Sequence, residues 1–227
     1  VISINSIDPA LITAMILAGG KATRMGGINK GLQTLHGKPL IHHVIDRLKN
    51  QANEIIINLN SDNKKYQQFH LPIWLDTGPS LGPLSGFLTG LTHCKTPYLL
   101  VVPCDAPFLP LNLSSLLGHA MIEFNAEICM PSTITRINSE IKYLPQPTFC
   151  LMKRNLSDSL KQFLNTQSRR ITDWTSLHKT IELRFIKEDV ENNLEFSNIN
   201  TLQELWEIEK LITSRDTQVA EISISLL

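Results

Sequence analysis

The chain has 227 residues, with 21 Lys and Arg balanced by 21 Asp and Glu. That length suits one α/β domain with a sizeable core and demands no second one, so residues 1–227 are expected to form a single domain. Balanced charge removes the global field that would gather nucleic acid or an acidic membrane, and any attraction for anions must be local.

No apolar run nears the roughly 18 residues of a membrane span, and Val1 to Ala10 lacks a basic stretch followed by an apolar one. The expectation is a soluble, cytoplasmic protein. Ile12 to Leu17 is almost wholly apolar and too short for a helix, which predicts a buried strand. Pro39 to Leu48 carries Leu40, Ile41, Val44, Ile45 and Leu48 at helical spacing, with Pro39 suited to a first turn. "EIIINL" at Glu54 to Leu59 and "PIWL" at Pro72 to Leu75 read as strands, with a short helix over Asp62 to Phe69 between them.

Leu84, Phe87, Leu88 and Leu91 repeat the helical stripe over Pro83 to Leu91, and "YLLVV" at Tyr98 to Val102 is a strand buried on both faces. Alternating strands and helices of this kind predict a mostly parallel sheet in a Rossmann-like three-layer α/β sandwich. Its ligand crevice lies at the carboxyl ends of the strands. Further on, helices are expected over Leu113 to Phe124 and Leu156 to Asn165, and strands over Ile128 to Pro131, Thr148 to Met152 and Leu183 to Ile186. Arg136 to Lys142 reads as a polar loop. Thr201 to Ile212 is an amphipathic helix with Thr201 as N-cap and Glu204 three residues on. Residues 213–227 follow it as a tail or an added strand.

The loop after the first strand asks for chemistry. "MILAGGKATRMGGINKG", Met15 to Gly31, holds five glycines and the cations Lys21, Arg24 and Lys30, with no carboxylate between Ala18 and Leu32. Glycines let amide N–H groups approach a ligand closely, and amides with ammonium and guanidinium groups make an anion site. The spacing matches neither GxxxxGK[ST] nor GxGxxG. A surface turn with solvated cations is the competing reading. Three further strand ends fall at the same edge. Asp105, after "YLLVVPC", offers the oxygen that Mg²⁺ prefers, or a cap for the next helix. Asp76 precedes "TGPSLGPLSG" and serves either a ligand or a turn, while Asn58 presents both a donor and an acceptor.

The four cysteines, Cys94, Cys104, Cys129 and Cys150, form no CxxC pair and have no histidine at ligand spacing. They are expected as reduced, mostly buried thiols. The seven histidines, His42 and His43 among them, show no triad signature and are read as surface or packing groups.

With loop, strand ends and order in place, the sequence resembles the molybdenum cofactor guanylyltransferases, the MobA family of nucleotidyltransferases, from about Ile12 to Ile212. The resemblance rests on "LAGGKATRMGGINKG" with "GKPL" behind it, on "DTGPSLGPLSG" and on "PCDAPFLP". "QPT" at Gln146 to Thr148, "SRR" at Ser168 to Arg170 and "NINTLQEL" at Asn198 to Leu205 support it.

It implies transfer of GMP from GTP to the phosphate of molybdopterin carrying molybdenum, with Mg²⁺ as cofactor. Leu17, Ala18, Gly19 and Gly20 would then line the nucleotide, with Asn58 and Asp76 contributing to its binding. Lys30 and Arg24 would act on phosphate, and Asp105 would bind nucleotide and Mg²⁺. Arg169, Arg170, Asn198 and Asn200 would lie on the molybdopterin side. Implied protein partners are those that deliver the cofactor or receive it. Alternatives sharing the loop are a cytidylyltransferase for the same cofactor, a sugar-1-phosphate nucleotidyltransferase, and a GTP-binding protein without transfer activity.

The chain departs from the family pattern in two places. Asn29-Lys30 stands where the family usually has Asp-Lys, and Ser139 to Pro145 is longer than the family norm. The first removes a charge beside Lys30.

Overall fold

A computed structural model describes residues 5–19, 29–62, 64–78, 81–137, 140–185 and 194–212, with 135–137 described as backbone alone. Its centre is an eight-stranded sheet. Strands β1 (Ile12–Leu17), β4 (Glu54–Leu59), β5 (Ile73–Leu75), β6 (Tyr98–Pro103), β7 (Ile128–Ile137) and β10 (Thr180–Phe185) run in one direction. β8 (Glu140–Pro145) and β9 (Cys150–Lys153) run against them. The order is β10-β7-β9-β6-β1-β4-β5, with β8 paired to β7. A separate hairpin pairs β2 (Thr34–Leu35) with β3 (Lys38–Pro39). Its turn, His36-Gly37, has positive φ at both residues, the geometry that matches the twist of a two-residue hairpin.

Helices cover both faces of the sheet, because its central strands are apolar on both sides. Ala14, Ile16, Ile57, Leu100 and Val102 turn toward α1 (Leu40–Leu48) and α3 (Leu113–Glu123), joining Ile41, Val44, Leu48, Leu113 and Leu117. Met15, Ile56, Leu99 and Val101 turn the other way, toward α2 (Pro83–His93), α4 (Ser157–Leu164) and α5 (Ile171–Thr175), where they meet Leu84, Phe87, Leu91, Leu160 and Trp174. Full burial of such a side chain stabilises by roughly 1.5–3 kcal/mol, so the two apolar faces account for much of the fold.

A third, smaller cluster joins Leu35 and Leu40 to Ile199 and Leu205, with Phe108, Ile208 and Ile212 against it. It seats the last helix, α6 (202–212), on the hairpin. Thr201 caps that helix as expected, its Oγ1 accepting the Glu204 N–H at 3.1 Å. The Glu204 carboxylate reaches one residue further back than a capping box requires and takes the Asn200 N–H at 2.6 Å.

Several expectations need correction. The loop expected at Arg136 to Lys142 is strand wherever it is described, since Arg136 pairs with Ile141 and Ile137 with Glu140 between β7 and β8. The helix expected at Asp62 to Phe69 is a 3₁₀ segment over Lys64–Phe69. The strand expected from Leu183 begins at Thr180, and the one expected from Thr148 begins at Cys150. Ile186 and the tail at 213–227 lie outside the described residues. All four cysteines are buried, as expected, and burial pushes the Cys129 thiol up to about 12.

Candidate active site

The parallel strands β1, β4 and β6 end together, and a cleft of about 540 Å³ opens at their carboxyl ends, where an open α/β sheet is expected to place its ligand. Each wall comes from a different element. Leu17, Ala18 and Gly19 leave β1. Asn58 and Asn60 leave β4, and Asp76 follows β5. Gly82, Pro83 and Gly86 open α2, while Pro103, Cys104 and Asp105 leave β6. Asn29 and Lys30 close one end, with Asn198 and Asn200 arriving from the segment before α6.

Lys30 is the meeting point. Its Nζ donates to Asn200 Oδ1 at 2.6 Å and to Asp105 Oδ2 at 3.3 Å. Asp105 does not cap a helix, as one reading of the sequence had it, because α3 starts only at Leu113 and the carboxylate faces Lys30. Burial raises the Asp105 carboxyl above its ordinary value, and Lys30 pulls against that shift. The Asp105 carbonyl accepts the Ile199 N–H at 2.9 Å, which fastens the Asn198–Asn200 segment over the end of β6. Asn200 Nδ2 donates back to Asn198 O at 3.0 Å. Among the described residues, Asn198 Oδ1 is buried without a hydrogen-bond partner.

The opposite wall is a fixed polar triplet. Asn58 Nδ2 donates to Asp76 Oδ1 at 2.8 Å and to Trp74 O at 3.2 Å, and Thr89 Oγ1 donates to the same Asp76 oxygen at 3.0 Å. These bonds hold the Asp76 carboxylate in place. Two glycines make the wall possible. A Cβ at Gly86 would come within 2.5 Å of both Asn58 Oδ1 and Leu17 Cδ2, and one at Gly19 within 1.6 Å of Asn60 Oδ1. Either substitution would push a side chain into the cleft.

Leu17, Ala18, Gly19, Lys30, Asn58, Asp76 and Asp105 therefore line one cavity. Gly20 and Arg24 lie outside the described residues. Asn198 and Asn200 join the cleft, but Arg169 and Arg170 do not line it. Arg169 Nη1 instead donates to Ser168 O at 2.6 Å and to Thr166 O beside the exposed start of α5. Asn60, Gly86 and Thr148 were not singled out from the sequence. Gly86 and Thr148 sit inside the quoted "DTGPSLGPLSG" and "QPT" segments, whereas Asn60 had no signal of its own. Asn29 makes no side-chain capping bond, and it is Asp105 and Asn200 that orient Lys30.

A cation between a strand-end carboxylate and an amide, in a cleft that a glycine-bearing helix start also lines, suits an α/β nucleotidyltransferase. The chain belongs to the family described as MobA-like NTP transferase domain, which matches residues 14–180. Among its relatives is the molybdenum cofactor guanylyltransferase of Ralstonia pickettii, 42% identical over 199 residues, covering 87% of this chain and 95% of the relative. The protein of that name from Albidiferax ferrireducens is 44% identical over 204 residues, covering 87% and 95%. Among solved structures, molybdopterin-guanine dinucleotide biosynthesis protein A from Archaeoglobus fulgidus superposes with a TM-score of 0.69 at 19% identity, covering 89% of this chain and 99% of that one. The 4-diphosphocytidyl-2C-methyl-D-erythritol synthase from Anaerococcus prevotii gives 0.67 at 14%, covering 91% and 100%. These two structures speak to the fold alone.

Proposed function

We propose that this chain transfers GMP from GTP to the phosphate of molybdopterin carrying molybdenum, releasing pyrophosphate. The observation that carries the chemistry is the junction of Lys30, Asp105 and Asn200 at the strand ends, supported by relatives named molybdenum cofactor guanylyltransferase at about 40% identity.

The acceptor phosphate oxygen forms a bond to the α-phosphorus as the bond from that phosphorus to the bridging oxygen breaks, and the electron pair leaves with pyrophosphate. A phosphomonoester has a second pKa of about 6, so its oxygen is already largely anionic at neutral pH and a general base is unnecessary. The protein's task is to hold the two phosphates in line and offset their charge. Lys30 takes this part, with Arg24 assigned to the same work by family position. Leu17, Ala18 and Gly19 form the guanine and ribose wall, Gly20 is assigned to the nucleotide by family position, and Asn58 and Asp76 bond the nucleoside. Asn198 and Asn200 take the acceptor side.

The donor set suits Mg²⁺. Asp105 supplies a hard carboxylate at the cleft, and this ion is commonly held by one or two protein oxygens plus phosphates and water. When bound it would neutralise phosphate charge. Asp105 is assigned as its ligand. The reading places the reaction in the cytoplasm, with proteins of cofactor delivery and acceptor molybdoenzymes as partners. No helix among the described residues is long and apolar enough to cross a membrane. Calorimetric titration with GTP, CTP, ATP and UTP, each with Mg²⁺ and with chelator, tests the nucleotide half of the proposal. Binding confined to GTP supports it, and a preference for CTP overturns it.

A further inference from the structure

Asn29 belongs to two cavities. On one side it lines the cleft with Lys30 and Asp105, and on the other it lines a groove of about 590 Å³ whose other polar residues are Gln33, Lys64, Lys65 and Gln68. Among the described residues no carboxylate lines that groove. The polar groups among those described residues are two lysines and three neutral amides, a set that favours anions. Gln68 Nε2 donates to Lys65 O at 2.6 Å, which fixes its amide on the 3₁₀ segment carrying both lysines. Asn29 is held by its backbone, its carbonyl accepting the Leu32 N–H at 3.1 Å, and its side chain makes no capping bond.

We infer that this groove receives the leaving pyrophosphate, with Asn29 as the neutral partition that the anion passes. The inference rests on the GMP-transfer reading. In that reading the nucleoside lies toward Leu17, Gly19 and Asp76, and the β- and γ-phosphates lie toward Lys30. Pyrophosphate therefore departs on the Lys30 side, and the cavity adjoining Lys30 beyond Asn29 is this groove. A carboxylate at position 29 would oppose that passage by like charge, and an amide does not.

The test fills the cleft of the full chain with α,β-methylene-GTP, which cannot be cleaved, and titrates inorganic pyrophosphate. The wild type should still bind pyrophosphate. Lys64→Ala/Lys65→Ala, at two exposed positions whose change leaves the core intact, should weaken that binding by about tenfold or more and leave affinity for the analogue unchanged. In turnover, pyrophosphate inhibition of the wild type should contain a component not competitive with GTP, and the double variant should lose it. No pyrophosphate binding to the filled protein, or equal binding by the variant, overturns the inference. If the analogue itself fails to bind the wild type, the nucleotide reading has failed, while a pyrophosphate titration of both proteins without analogue still decides for or against the groove.

Discussion

Lys30 and Asn200 stand 170 positions apart in the chain, yet Lys30 Nζ lies 2.6 Å from Asn200 Oδ1. The contact exists because the cluster of Leu35, Leu40, Ile199 and Leu205 seats α6 beside the turn that carries Lys30. Asn200→Ala removes the shorter of the two bonds that aim the ammonium. Expected is a fall of about tenfold in kcat/KM from the lost charge-assisted bond, against about 100-fold for Lys30→Ala. The loss in Lys30→Ala/Asn200→Ala should fall well short of the two single losses combined, and fully additive losses in this cycle would show that Asn200 acts on the acceptor alone and does not aim Lys30.

Asp105→Asn keeps the side chain's size and removes its charge. Metal-dependent turnover should fall by at least about 100-fold. Thermal stability of the metal-free protein should not fall with it. Burial raises the folded pKa, so above the unfolded value of about 4 the ionised carboxylate costs stability. Thermal melts at pH 7 check this, and a clearly lower Tm for Asp105→Asn would mean that the Lys30 pairing outweighs burial.

Gly31 is wedged behind the reactive face. A Cβ there would meet Cys104 Sγ at 3.1 Å and Tyr66 Oη at 3.3 Å, and the neighbours must yield or the Lys30 turn must shift. Gly31→Ala should cost about 1–2 kcal/mol of stability by overpacking and lower transfer with it. Cys104→Ala removes the Sγ contact but keeps the Cys104 Cβ at 3.2 Å and Tyr66 Oη at 3.3 Å, so the double variant should recover part of the activity and not all of it. Failure of that rescue, seen in paired assays, would place the strain elsewhere.

Asp46 offers a pH-dependent test away from the site. Lys38 and, next, Lys49 hold its carboxyl at about 2, and Lys38 ties the hairpin to α1. A folded pKa below the unfolded value stabilises the protein above pH ~4, and that contribution is lost as pH falls from ~4 to ~2. The side chain is 33% exposed, so solvent screening limits the effect to about 1 kcal/mol. Urea midpoints of wild type and Asp46→Asn should differ at pH 6 and converge near pH 2. A difference that persists there would point to packing instead.

Strands buried on both faces were legible from composition alone. Ile12–Leu17 and Glu54–Leu59 have the bounds their apolar runs suggest, because no other short element needs apolar groups on every side. The β7–β8 pairing was misread for the converse reason. β8 is exposed along nearly its whole length, so "EIKYLP" carries no burial pattern and its polar flank looks like a loop. α5 spans five residues, too few for a period to show. In the site, Asn58, Asp76 and Asp105 could be found because strand ends in a parallel sheet converge on a single edge. Asn60 could not, since its part depends on how closely Gly19 approaches it. The Lys30–Asn200 contact likewise comes from the docking of α6, which no local pattern encodes.

The central claim is transfer of a guanylyl group, and the most direct measurement follows the α-phosphorus itself. Purified protein, Mg²⁺ and molybdenum-loaded molybdopterin are incubated with GTP or CTP labelled with ³²P at the α-position, and the cofactor is isolated. Label should pass from GTP to the cofactor with one pyrophosphate released per label, and none should pass from CTP. Label arriving from CTP, or pyrophosphate absent with both nucleotides, would contradict the account.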